Sequence, residues 1–273
     1  MHSLETAGFL ILGLTALTTY LAFQDRQRFE AMLLRVADLK AGQYYRLFTS
    51  GFIHVDWTHF FFNMFSLYIF AGSLEDSLGM LNFVLIYFSS MAAGSLLAWF
   101  YHQNNPEYRA VGASGAISGI IFSAIVMEPG MELSMFFLPF FFPAWIYGLG
   151  FILYSIYGIG KQHDNIGHEA HLGGALAGLL LTLLLEPQVM QTNTMTIIYL
   201  AVPSLVFLII LFFRPQLLQW NTGGPGQSMT IDDRYRARRA DQEEELNRIL
   251  DKVKHSGPET LTDQERQFLR DHY

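Results

Sequence analysis

Seven apolar runs, each close to the ~20 residues that cross a bilayer core, constrain this chain more than any other feature. They fall at about Ala7–Phe23, Trp57–Gly72, Met80–Tyr101, Ala110–Met127, Leu133–Gly160, His168–Glu186 and Thr196–Phe213. The charges lie almost wholly between them. A sequence 51% hydrophobic and 15% charged with that segregation predicts a polytopic membrane protein, because a soluble domain spreads its charge over most elements. Residues 1–6 carry no basic n-region, so the first run is expected to stay as a span. There is no cysteine, which removes disulfides and a thiol nucleophile. No nucleic-acid partner is expected.

Local composition refines the plan. The fourth run is short and rich in small residues, which suits a helix buried among others. Pro139 and Pro143 break the fifth, so its first part reads as a kinked or interfacial lead-in. In the long first connection, Gln24–Val55, the residues Phe29, Met32, Leu33 and Val36 recur at helical spacing among arginines. That pattern predicts an amphipathic helix in the membrane interface. Residues 214–230 read as a linker, and 231–273 as a soluble two-helix tail. There Leu246, Ile249, Leu250 and Val253 form a stripe, and Thr262-Asp263-Gln264-Glu265 a capping box.

Polar groups inside spans are expensive and mark function. Gly112-Ala113-Ser114-Gly115-Ala116-Ile117-Ser118-Gly119 places a hydroxyl among glycines at the start of the fourth run. His59 and Asn63 share one face of the second, and His171 opens the sixth with Gly174 and Gly178 on one face. All three groups begin even-numbered spans, so they share one side and one depth of the membrane. Glycine-faced fourth and sixth helices can then bring Ser114 and His171 together. A serine hydroxyl needs a base to take its proton, and imidazole is suited to that near neutral pH. The oxyanion would be met by His59, Asn63 and backbone N–H groups at Ser114–Gly115. No carboxylate lies mid-span to orient His171, which points to a dyad.

These motifs resemble the rhomboid family of intramembrane serine proteases. The family's G-x-S-G matches Gly112-Ala113-Ser114-Gly115, and its H-x-x-x-N matches His59 to Asn63, with His54 at the upstream histidine. Its A-H-x-x-G matches Ala170 to Gly174, its loop-one Trp–Arg pair appears as Tyr45-Arg46, and Glu75 stands at the acidic end of the second span. The resemblance implies an all-α polytopic membrane protein: a six-helix protease core over 1–190, an additional span over 191–213, and a helical tail. It implies a Ser114–His171 dyad without metal or cofactor, His59, Asn63 and Gly115 at the oxyanion, and His54, Gly112 and Gly174 in support. The implied partners are the lipid bilayer and transmembrane protein substrates, entering beside the second and fifth spans.

One departure stands out. Family members often carry an aromatic residue four positions after the serine, against the catalytic imidazole; here it is Ser118. The orientation of His171 must then rest on another group, for which His168, one turn earlier, is the sequence candidate. Two other classes compete. His168-Glu169-Ala170-His171 lacks one residue of the zinc motif that sets two imidazoles a turn apart. A catalytically inactive rhomboid-like protein that binds membrane clients is the alternative reading.

All 17 Lys and Arg fall on one side of a seven-span chain. The positive-inside rule places that side in the cytoplasm, whereas the resemblance turns the same side, with the active site, outward. We follow the resemblance, because first-loop arginines can rest at headgroups. The expected location is the plasma (inner) membrane, multi-pass, with an extracytoplasmic active site.

Overall fold

A computed structural model describes residues 6–134, 141–161, 167–213, 246, 248–255 and 257–272. The described residues fall in two compact units, the bundle up to Phe213 and the C-terminal segment from residue 246.

The bundle opens with α1 (Thr6–Gln24). Its N-terminal amides cannot bond within the helix. The Glu75 carboxylate accepts from the Ala7 and Gly8 N–H groups at 2.9 and 3.0 Å, which fixes α1 on the second span. The first connection is not one amphipathic helix. It forms α2 (Arg26–Met32), β1 (Leu34–Arg35), α3 (Val36–Lys40) and α4 (Arg46–Thr49). The helical pattern ends at Leu33, whose ψ of 147° is extended. Leu33, Leu34, Val36 and Leu39 are buried against protein. The fastener is Arg46, buried itself, which donates to the Glu30 and Leu33 carbonyls at 2.7 and 2.6 Å and pairs with Asp38 at 3.3 Å.

Asp56 caps α5 (Trp57–Tyr101) by accepting from the His59 N–H at 2.7 Å. Its 45 residues are far too long for one crossing. Gly79, at φ 77°, bends the helix into the two spans expected from the sequence, in a region that glycine enters most readily. Strand β2 (Arg109–Ala110) pairs antiparallel with β1 and ties the loop before α6 to the first connection. In α6 (Ser114–Met127) every residue from Gly115 to Val126 is buried, so this short helix is the axis of the bundle. The lead-in to the fifth span is β3 (Glu132–Ser134) paired with β4 (Phe141–Pro143), followed by α7 (Ala144–Lys161). Pro143 falls just before the helix, where its missing N–H costs nothing. Helices α8 (His168–Leu185), α9 (Val189–Thr192) and α10 (Thr194–Phe213) complete the unit. Helices α1, α5, α8 and α10 are long and apolar enough to cross a membrane; α6 and the stretch Ala144–Ile159 of α7 are shorter and apolar. The chain is an all-α polytopic membrane protein in its spans.

In the C-terminal unit residues 248–255 are helical, with Ile249 fully buried. The capping box forms as expected: the Thr262 N–H donates to Glu265 Oε2 at 2.8 Å, and the Glu265 N–H to Thr262 Oγ1 at 3.2 Å, opening the helix Asp263–His272. The expected linker over 214–230 lies outside the described residues.

Candidate active site

Three helices meet without side chains between them. A Cβ added to Gly115 would stand 3.3 Å from the Ala170 carbonyl oxygen, one at Gly174 would fall on the Gly115 carbonyl, and one at Gly178 on the Gly119 backbone. Helices α6 and α8 therefore cross backbone to backbone over two turns. The second half of α5 closes the third side, where a Cβ at Gly94 would lie 2.5 Å from the Ala170 oxygen and one at Gly173 2.9 Å from the Ala93 oxygen. Ser114 and His171 each adjoin a residue of this crossing, Gly115 and Ala170, at the same end. Both are half-buried.

Ser114 is the first residue of α6. The first amide bonded inside the helix is that of Ile117, to the Ala113 carbonyl at 3.0 Å. The N–H groups of Ser114, Gly115 and Ala116 thus have no helical acceptor and add the positive end of the helix dipole. Gly112 precedes them at φ 117°, and a Cβ there would meet the His59 ring at 2.6 Å. Only glycine allows both the conformation and the approach of His59. One turn on, Asn63 Nδ2 donates to the His59 carbonyl at 2.9 Å, which leaves its second N–H uncommitted by that bond.

His54 stands behind Ala113. The Ala113 N–H donates to its Nε2 at 3.4 Å, so Nδ1 carries the proton and meets Thr19 Oγ1 at 3.0 Å; Thr19 Oγ1 in turn contacts the Phe52 carbonyl at 3.2 Å. His54 packs edge-on against His59, 4.9 Å between centroids. It positions the loop before the serine. Burial first, and then the nearby His59, push the His54 imidazole down to about 3 from an ordinary 6.5. Between those values the unfolded chain binds the extra proton, so the stability that comes from holding His54 neutral is full above pH 6.5 and declines as pH falls through the window. The melting temperature is expected to drop from pH 7 to pH 5, with this residue contributing up to about 1.4 kcal/mol per pH unit. His54→Gln should flatten the curve; an equally steep curve in that variant would remove the assignment.

On α8 the two histidines lie against α7. Phe151 stacks on His171, with centroids 5.4 Å apart and planes 28° from parallel, and Tyr154 meets His168 edge-on at 5.1 Å. His171 Nδ1 is buried and takes no hydrogen bond among the described residues. Glu169 bonds instead to His102 Nε2 at 3.2 Å, and His102 stacks on Tyr108 at 3.6 Å. His102, the C-cap of α5, is thus a strut between α5 and α8. Ser118 is buried and donates to the Ser114 carbonyl at 2.6 Å, turned back on its own helix.

Glycine-faced crossing helices thus carry Ser114 and His171 near one end, with His59 against the glycine that precedes the serine. A family model, the Rhomboid domain, matches residues 41–188. The chain belongs to the rhomboid family, whose members are generally intramembrane serine proteases. It is 27% identical to RHOMBOID-like protein 12, mitochondrial, of Arabidopsis thaliana over 62% of this chain and 54% of that protein. It is 30% identical to Rhomboid protein 1, mitochondrial, of Saccharomyces cerevisiae over 48% of this chain and 39% of the relative. Rhomboid-like protein 11, chloroplastic, of Arabidopsis thaliana is 30% identical over 52% and 53% of the two chains. The chain spans about half the length of these relatives. Residues 229–272 match a second model, a family of unknown function (DUF6576).

Proposed function

We propose that the protein is an intramembrane serine endopeptidase that cleaves transmembrane segments of other proteins with Ser114 as nucleophile and His171 as base. The observation that supports this most is the contact of Gly115 with Ala170 and Gly174, because these neighbours of Ser114 and His171 lie at one end of two crossing helices. His171 takes the proton as Ser114 Oγ attacks the scissile carbonyl carbon. The oxyanion so formed meets the Ser114 and Gly115 N–H groups, with His59 and Asn63 beside them. As the C–N bond breaks, imidazolium protonates the leaving amine. Water, deprotonated by His171, then attacks the acyl-serine and releases the second product. Purified protein in liposomes should cut a transmembrane reporter substrate, and Ser114→Ala should not; equal cleavage by both would end this reading.

His59→Ala and Asn63→Ala are expected to lower turnover by roughly 10²–10³ where the side chain is a main oxyanion donor. A fall under about threefold in both would leave the oxyanion to backbone groups alone.

The same proposal places the site on the extracytoplasmic side of a plasma (inner) membrane. Seven spans carry the C-terminus to the site's side, so a reporter fused after Tyr273 that works only outside the cytoplasm should be active. Activity of a cytoplasm-only reporter there would reverse the orientation.

A further inference from the structure

We infer that Phe151, on α7, is the positioning residue for the His171 imidazole, supplying from the fifth span the ring that Ser118 does not supply from the fourth. This rests on the assignment of His171 as base. The imidazole needs a fixed plane, because a base that turns away from the hydroxyl loses the proton transfer. Three features remove the usual means of fixing it. Its Nδ1 makes no hydrogen bond among the described residues. The carboxylate nearest in sequence, Glu169, is engaged with His102. Ser118, at the first turn after the serine, points its hydroxyl back to the Ser114 carbonyl.

What remains is packing, and it comes from one face of α7. Phe151, Tyr154 and Gly158 lie at i, i+3 and i+7, which share a helix face. Phe151 stacks on His171, Tyr154 packs against His168, and a Cβ at Gly158 would fall within the His168 ring. His168 itself meets His171 edge-on, 5.9 Å between centroids. The sequence candidate His168 therefore contributes, as one layer of a stack that Phe151 completes. Helix α7 is seated in turn on α10, where Trp145 packs on Tyr199 at 4.9 Å and a Cβ at Gly148 would reach Leu200 at 2.8 Å. The seventh span thus holds the helix that holds the base.

The test compares Phe151→Leu, Phe151→Met and Phe151→Tyr with wild type, His171→Ala and the exposed α7 control Leu153→Ala. It measures turnover of a transmembrane reporter substrate and the rate at which a fluorophosphonate labels Ser114. Removing the ring is expected to lower kcat and the labelling rate together by about tenfold to a hundredfold with KM little changed. Tyrosine, which keeps the ring, should stay within about twofold of wild type, as should Leu153→Ala. Should the leucine variant not fold, methionine, which fills similar volume without a ring, decides. Wild-type kcat and labelling in the methionine variant, or a loss confined to KM, would overturn the inference. With His171→Ala inactive, that result leaves the dyad standing; His171→Ala labelling at the wild-type rate removes both.

Discussion

Ser114→Ala and His171→Ala are each expected to lower cleavage by at least about 10³-fold while the protein remains folded. The size follows from the division of labour. Without the hydroxyl there is no acyl intermediate, and without the imidazole the hydroxyl keeps its proton at neutral pH. In the proposed mechanism the donors at the start of α6, with His59 and Asn63, would still polarise a carbonyl, so the residual rate measures the oxyanion site alone. Removing both groups together should cost little more than removing one, because they act as a unit. Ser114 is half-buried at a helix start, where alanine fits, so its variant should melt as wild type does. The His171 variant leaves Phe151 without its stacking partner, and its melting temperature is the control that separates lost chemistry from lost structure.

Gly174→Val should destabilise the bundle by about 3 kcal/mol, at the upper end of ordinary overpacking. A side chain there meets the Gly115 carbonyl, a backbone group of a helix buried along nearly its whole length, which no rotamer change can move aside. The same added atoms would push the start of α8 away from Ser114, so surviving protein should also turn over slowly. Gly150, where a Cβ meets nothing within 4 Å, is the matched control on α7. A Gly174→Val protein that melts with wild type would mean that α6 and α8 do not cross at that point.

The sequence conveyed the spans well, because a bilayer demands long apolar runs and polar interruptions end them. Thr6–Gln24, the two halves of Trp57–Tyr101, His168–Leu185 and Thr194–Phe213 fall within a few residues of the runs read from composition. It also placed Ser114, His171 and His59 at one end, since span parity and glycine spacing are properties of order alone. Where long-range pairing decides, it conveyed less. The helical spacing of Phe29 to Val36 is real in residue type, yet Arg46, ten residues beyond Val36, closes the connection into a compact unit. In the lead-in, residues 132–134 pair with 141–143 as β3 and β4 rather than extending α7. His102 falls outside the apolar runs, and nothing in its sequence neighbourhood pairs it with Glu169. Phe151 was the least visible, one of 24 phenylalanines in the chain. Its only signal was the spacing to Tyr154 and Gly158, which marks a shared face without saying what that face touches.

The most direct test of the central claim treats the folded, liposome-embedded protein with a fluorophosphonate and maps the adduct by peptide mass spectrometry. The account predicts one adduct, on Ser114, absent from Ser114→Ala and strongly slowed in His171→Ala. Folded protein that cleaves a transmembrane substrate while Ser114 stays unmodified, or while another serine carries the adduct, would contradict it.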